Sequence, residues 1–349
     1  MKRGPDPKSV KKIAVRMTNW VGDTVMNTPF LAEVRSLFPN ARIVALGRKN
    51  VMGILENQPD VDELWTIDDR SLGGRLEAIK RLRRYGPDVA FALPNSLNAA
   101  LLLRLGGSKR VVGYDRDGRR MLLTHPIRLR PEDLAVHEVR YYLRLLAPWG
   151  YVPREIPPLK LRVSEEELGA MRAYLGRHGV EEGQAVIGVN PAAFYGTAKR
   201  WLAERYAATA KRLAEENDAR VFVTGLPTER DVAQNVCDAG GERFHNAAGE
   251  MSLRELMAFL ALCRLFLTND SGAMHVAAAL GTPLVAVFGS TDWVTTAPRG
   301  EHAVIVREET ACAPCLLRDC PIDHRCMTRV TVRSVHEESV RLLAKTAGA

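Results

Sequence analysis

Short apolar runs alternate with helical stretches along almost the whole chain, and this rhythm restricts its fold more than any other feature. Strand-like runs fall at 12–17 (KIAVRM), 41–46 (ARIVAL), 63–67, 88–93 and 110–113. Helical periodicity falls between and after them, at 28–38, 51–57, 75–85 and 137–149. A proline-rich stretch (Pro153, Pro157, Pro158) interrupts the pattern, which then restarts. Strands are expected at 185–190 (AVIGVN), 220–224, 265–268 and 283–288, and helices at 164–178, 203–216, 228–239, 252–262, 272–280 and 334–347. Repeated βα units predict an α/β fold with parallel sheets wound on both faces. At 349 residues the chain exceeds one ordinary core. The restart therefore predicts two Rossmann-like domains, 1–163 and 164–333, with a terminal helix in 334–349 packing back on the first. Ligands of such sheets bind beyond the carboxyl ends of strands, so two facing sheets predict a site in the cleft between domains.

Several function classes drop out. No run of 18 apolar residues exists, so a membrane-spanning helix is not expected. The opening MKRGPDPKSVKK is basic but has no apolar segment of a secretory signal, and the six cysteines read as thiols of a cytosolic protein. Lys plus Arg number 49 against 41 acids, a net charge of +8. Residues 70–130 alone hold 14 basic and 4 acidic residues, a net of +10. That concentration favours an anionic partner. A plain solvated arginine face explains the charge as well. Nucleic acid is disfavoured, because no binding motif accompanies the charge and only 6% of residues are aromatic.

Five loops carry chemistry. The first, 16–24 (RMTNWVGDT), follows strand one and matches neither a dinucleotide nor a triphosphate glycine motif. Gly22 permits a tight turn. Asp23 then sits at or just before a helix start, as a helix cap or as a general base. The second, 190–201 (NPAAFYGTAKRW), offers Lys199 and Arg200 beside small residues, the pattern that neutralises a diphosphate leaving group. A surface pair at a helix start is the bland alternative. The third, 268–275 (TNDSGAMH), has Asp270 or Ser271 to cap a helix, Gly272 to admit an anion, and His275 in the first turn. The fourth, 288–293 (FGSTDW), supplies Gly289, Ser290 and Thr291, or is an ordinary turn. The fifth holds Cys312, Cys315, Cys320, His324 and Cys326, enough ligands for structural zinc but without a standard spacing. Packed thiols are the competing reading, and disulfide or redox use is a third. Cys237 and Cys263 read as buried hydrophobes in helical segments.

RMTNWVGDTVMNTP, AKRW, TNDSGAMHVAAALGTPLVAVFGSTD and CAPCLLRDCPIDHRCM occur in that order over nearly the whole chain. Together they resemble glycosyltransferase family 9, the ADP-heptose:lipopolysaccharide heptosyltransferases, most of all the heptosyltransferase II branch. The resemblance implies a GT-B architecture, with nucleotide-sugar bound by the C-terminal domain and acceptor by the N-terminal one. It implies inverting transfer of L-glycero-D-manno-heptose from ADP-heptose to the first heptose of the lipid A–Kdo inner core. The place would be the cytosolic face of the inner membrane, with peripheral membrane contact. By matching motifs, Asp23 becomes the base and Lys199 the diphosphate cation. Asn19, Gly22, Arg200, Glu229, Asp270, Ser271, Gly272 and His275 become donor-binding residues. No cofactor is required. The alternatives are a related branch with another donor or acceptor (heptosyltransferase I or III type) and a non-enzymatic basic anion binder.

Overall fold

The computed structural model describes residues 2–153 and 155–347. The chain divides into two compact units, Met1–Arg162 and Val163–Ala349.

The first unit is a six-stranded parallel sheet of β1 (Lys12–Arg16), β2 (Arg42–Gly47), β3 (Glu63–Thr66), β4 (Val89–Ala92), β5 (Val111–Tyr114) and β6 (His125–Ile127), in the order β3-β2-β1-β4-β5-β6. Val15 lies between Ala45 and Phe91 in this register. The inner strands are continuous runs of Val, Ile, Leu and Ala because helices cover both faces. The Leu72–Tyr85 helix starts at a Ser71 cap and stops at Gly86, whose φ of 67° allows the left-handed ending. Three features depart from the expected rhythm. The Leu97–Leu105 helix is apolar on nearly every side and shows little periodicity. β6 is three residues long and contains Pro126. The expected 137–149 helix is a Glu138–Leu143 helix followed by a tighter 3-10 stretch carrying Pro148.

The second unit repeats the plan. β7 (Ala185–Asn190), β8 (Ala219–Val223), β9 (Phe244–Asn246), β10 (Leu265–Asn269), β11 (Leu284–Phe288) and β12 (Ala303–Arg307) are parallel, in the order β12-β11-β10-β7-β8-β9. β9 and β12, absent from the expected set, are the two edge strands and bury less. Ile187, Leu213, Leu267 and Val285 belong to one buried cluster, each contributing about 1.5–3 kcal/mol by burial. From the terminal helix, Val332–Ala347, Val335, Leu342 and Leu343 join this cluster, so the helix forms part of the second unit's core.

The strand order reverses between β1 and β4 in one unit and between β7 and β10 in the other. In doubly wound sheets the crevice beyond such a reversal is where ligands bind. The loops after β1, β7 and β10 start there. Among the described residues no helix is long and apolar enough to cross a membrane.

Candidate active site

At the first reversal, β1 ends in a fully enclosed arginine. Arg16 is 1% exposed, and its guanidinium donates to Asp69 Oδ2 at 2.6 Å and to Asn19 Oδ1 at 2.8 Å. Arg48 donates to the other Asp69 oxygen at 2.7 Å. Burial pulls the Arg16 pKa down, opposed by the Asp69 contact. Burial alone would raise the Asp69 carboxyl, but the hydrogen bonds from Arg48 and Arg16 hold it below its ordinary value. The pair fixes the loop that follows. Asn50 Nδ2 donates to the Asn19 carbonyl at 3.3 Å, so Asn19 is held through both its side chain and its backbone.

The expected loop at 16–24 is partly helix, Val21–Met26. Gly22 lies inside it and is not among the positive-φ glycines, so no tight glycine turn exists there. Asp23 is the third helical residue rather than a cap, since Trp20 occupies the cap position. A carboxylate in a first turn is stabilised by the helix dipole. Behind this turn, Thr18 donates to Asn27 Oδ1 at 2.8 Å, and Thr24 donates to the Trp20 carbonyl at 2.9 Å. The buried phenol of Tyr142 is pushed well above its ordinary pKa by burial first and then by the Asp23 charge. Tyr142 therefore neighbours Asp23, and sequence reading missed it.

At the second reversal, Lys199 Nζ lies 2.8 Å from Asp270 Oδ2, joining the loop after β7 to the loop after β10. The two cations are not at a helix start, as the sequence suggested. Lys199 closes a one-turn 3-10 segment, Thr197–Lys199, and the next helix begins at Ala203. Asn269 braces the loop. Its Oδ1 accepts from Trp201 N and Tyr206 Oη, and its Nδ2 donates to the Pro191 carbonyl. Ser271, not Asp270, caps the Gly272–Leu280 helix by accepting from Met274 N at 3.2 Å. Gly272 and Ala273 then occupy the first turn, where N–H groups have no intrahelical acceptor. His275 is buried in the same turn. Glu229 is at the end of a short 3-10 turn, its Oε2 accepting from Leu226 N at 2.8 Å. Among the described residues, Arg200 Nε, Ser290 Oγ and Thr291 Oγ1 are buried without a partner. The two hydroxyls follow β11, in the loop that could equally have been an ordinary turn.

The cysteine-rich segment is a strap over the Lys199 loop. Arg318 O accepts from Ala198 N at 2.9 Å, Tyr195 donates to Leu316 O at 2.9 Å, and Thr197 donates to Asp319 at 2.6 Å. Gly196 is required here: a Cβ would stand 2.2 Å from Arg318 O. His324 belongs to this strap and not to the thiols, because its Nε2 lies 2.9 Å from the Ala198 carbonyl. Cys312, Cys315 and Cys320 stand near Cys326, whose thiol is raised by burial and then by their charge. Among the described residues, however, no three of the cysteines bring their sulfurs mutually within 4.8 Å. Cys237 and Cys263 are buried as expected, and burial pushes Cys237 up to about 12.

The glycosyltransferase family 9 (heptosyltransferase) model matches residues 75–325. Lipopolysaccharide heptosyltransferase 2 of Escherichia coli K12 is 30% identical over 311 residues, covering 85% of this chain and 88% of that one. Lipooligosaccharide heptosyltransferase 2 of Campylobacter jejuni is 26% identical over 338 residues, covering 95% and 98%. The solved E. coli ADP-heptose lipopolysaccharide heptosyltransferase II superposes with a TM-score of 0.85 at 28% identity, covering 96% of this chain and 99% of that one. The architecture is thus that of the GT-B enzymes, and the chain belongs to glycosyltransferase family 9, the heptosyltransferases.

Proposed function

We propose that this enzyme moves L-glycero-D-manno-heptose from ADP-heptose to the first heptose of the lipid A–Kdo inner core, at the cytosolic face of the inner membrane. The observation that carries the reading is the Lys199–Asp270 pair, held at 2.8 Å where the second sheet reverses its strand order. An ammonium in that position has further N–H donors left for a diphosphate. The first turn of the Gly272–Leu280 helix lies next to it in the chain and adds backbone donors. The similarity to the E. coli ADP-heptose lipopolysaccharide heptosyltransferase II supports ADP-heptose as donor and lipopolysaccharide as the acceptor class.

The chemistry is a single displacement. The acceptor hydroxyl oxygen bonds to the anomeric carbon as the bond from that carbon to the diphosphate breaks. The bonding electrons leave with ADP, whose charge Lys199, Arg200 and the helix N–H groups offset. The acceptor proton passes to Asp23, a carboxylate in the first turn of the Val21–Met26 helix. Attack from the face opposite the leaving group inverts the anomeric centre. Asp270 orients Lys199, Ser271 caps the helix, and Glu229, with one oxygen on Leu226, keeps the other for a ribose hydroxyl. A structural zinc on Cys312, Cys315, Cys320 and Cys326 is a separate proposal, tested by zinc analysis of protein purified without chelator.

The test of the reaction is mass spectrometry of a heptosyl-Kdo-lipid A acceptor incubated with ADP-heptose and enzyme. Gain of one heptose establishes donor and acceptor together. ADP release without that gain refutes the acceptor, and neither product refutes the donor.

A further inference from the structure

We infer that His178, His245 and Glu250 form a divalent transition-metal site at the β9 edge of the second unit, made of residues with no part in the proposed transfer.

Among the described residues, this is the one group of His, Cys or acidic side chains whose ligand atoms all lie within 4.8 Å of one another. Three elements supply it. His178 ends the Glu165–Arg177 helix, His245 is the middle residue of β9, and Glu250 stands in the turn before the Leu253–Leu262 helix. His245 Nε2 is 3.1 Å from Glu250 Oε2, and the two imidazole rings lie 4.1 Å apart between centroids. Bonds to a bound ion of about 2.0–2.2 Å would bring the ligand atoms to within about 3–3.6 Å of one another. The set needs a contraction of about one ångström, within the reach of side-chain rotation.

The surroundings fit the same reading. Tyr174 donates to Glu250 Oε2 at 2.5 Å, the kind of outer hydrogen bond that orients a ligating carboxylate. Two imidazoles with one carboxylate suit zinc, cobalt or nickel better than magnesium or calcium. The half-buried rings leave an entry path. Arg230 is the opposing feature, its guanidinium 3.9 Å from the second Glu250 oxygen. A bound ion would tie the unit's first helix to the turn preceding Leu253. The Arg254–Glu167 pair already joins the same two helices, at 2.5 Å.

The test is a Co²⁺ titration of the full chain, read by visible absorption and by thermal melting. The expected result is visible cobalt bands without the intense near-ultraviolet sulfur-to-cobalt band, and a melting temperature that rises with Co²⁺. H245A should weaken Co²⁺ binding at least about ten-fold, because losing a ligand costs no less than losing its outer partner. E250Q should also weaken it while keeping a Tyr174 hydrogen bond, which covers the case of H245A misfolding. Equal Co²⁺ affinity in wild type, H245A and E250Q overturns the site. So does a spectrum carrying only the sulfur band, which would place the ion on the cysteines.

Discussion

Beyond β1 the chain turns almost at once into a helix, and the cation at the strand end, Arg16, is sealed against Asp69 at 1% exposure. Beyond β7 it runs through a long loop, and Lys199 meets Asp270 with 16% of its side chain still exposed. Both ion pairs sit where their sheet reverses strand order, and both measure under 3 Å. Their consequences differ through desolvation. A guanidinium held by Met17, Asn19 and Asp69 and closed to water can only support the loop above it. An ammonium held by one carboxylate and open on one side can still meet an anion. The same topological position therefore serves as scaffold in one unit and as a candidate ligand contact in the other.

The largest expected effect falls on the residue the scaffold supports. Asp23→Asn removes the proposed proton acceptor without altering shape, and kcat should drop by about 10²–10⁴ with the KM for donor nearly constant. Steady-state kinetics with both substrates measures this. An unchanged kcat removes Asp23 as the base and leaves the first reversal without chemistry.

Next in size is Asp69→Ala, which leaves Arg16 buried with its main charge partner gone. Removing one member of a buried pair costs about 3–5 kcal/mol. Urea unfolding should show that loss. Lys199→Met leaves the buried Asp270 carboxylate without this partner, so it too should lower the unfolding midpoint, but its larger mark is on turnover, with kcat falling by about 10²–10³. If Asp69→Ala reduced turnover while stability held, the scaffold reading of the first reversal would be wrong.

Much of this was legible in the chain. The strand 185–190 and the helices 203–216 and 272–280 match the structure to the residue, because an apolar run marks the first, helical periodicity the second, and Ser271 and Gly281 bound the third. Lys199, Asp270 and Ser271 could be picked out because they follow strands. Other features left no local trace. β9, Phe-His-Asn, is three residues long and reads as loop, whereas β12, AVIVR, carries a plain apolar signal that the sequence reading passed over. The Arg16–Asp69 pair joins positions 53 residues apart. Its one visible sign was an arginine inside an otherwise apolar strand. His324 looked like a metal ligand by its spacing among cysteines. Its backbone, with φ of 56°, turns it instead toward Ala198. The cluster of His178, His245 and Glu250 depends on β9 pairing with β8, which no short motif encodes.

The smallest effect concerns acid stability and sharpens the comparison at its edges. Hydrogen bonding from Arg254, foremost, lowers the Glu167 carboxyl from 4.5 to about 2 in the folded second unit. A carboxyl lowered by folding stabilises the fold fully above its unfolded pKa. That contribution disappears as pH falls from about 4.5 towards 2. The pair is partly exposed, so solvent screening limits its worth to about 1 kcal/mol. Asp69 is lowered in the same direction but is almost enclosed, and its loss on acidification should be larger. Urea unfolding at pH 7, 4 and 3 separates the two. Glu167→Gln should flatten the acid decline of the second unit's transition and leave that of the first unchanged. An equal change in both transitions would mean that the units unfold together, and that enclosure at the first reversal and openness at the second cannot be assigned separate stabilities.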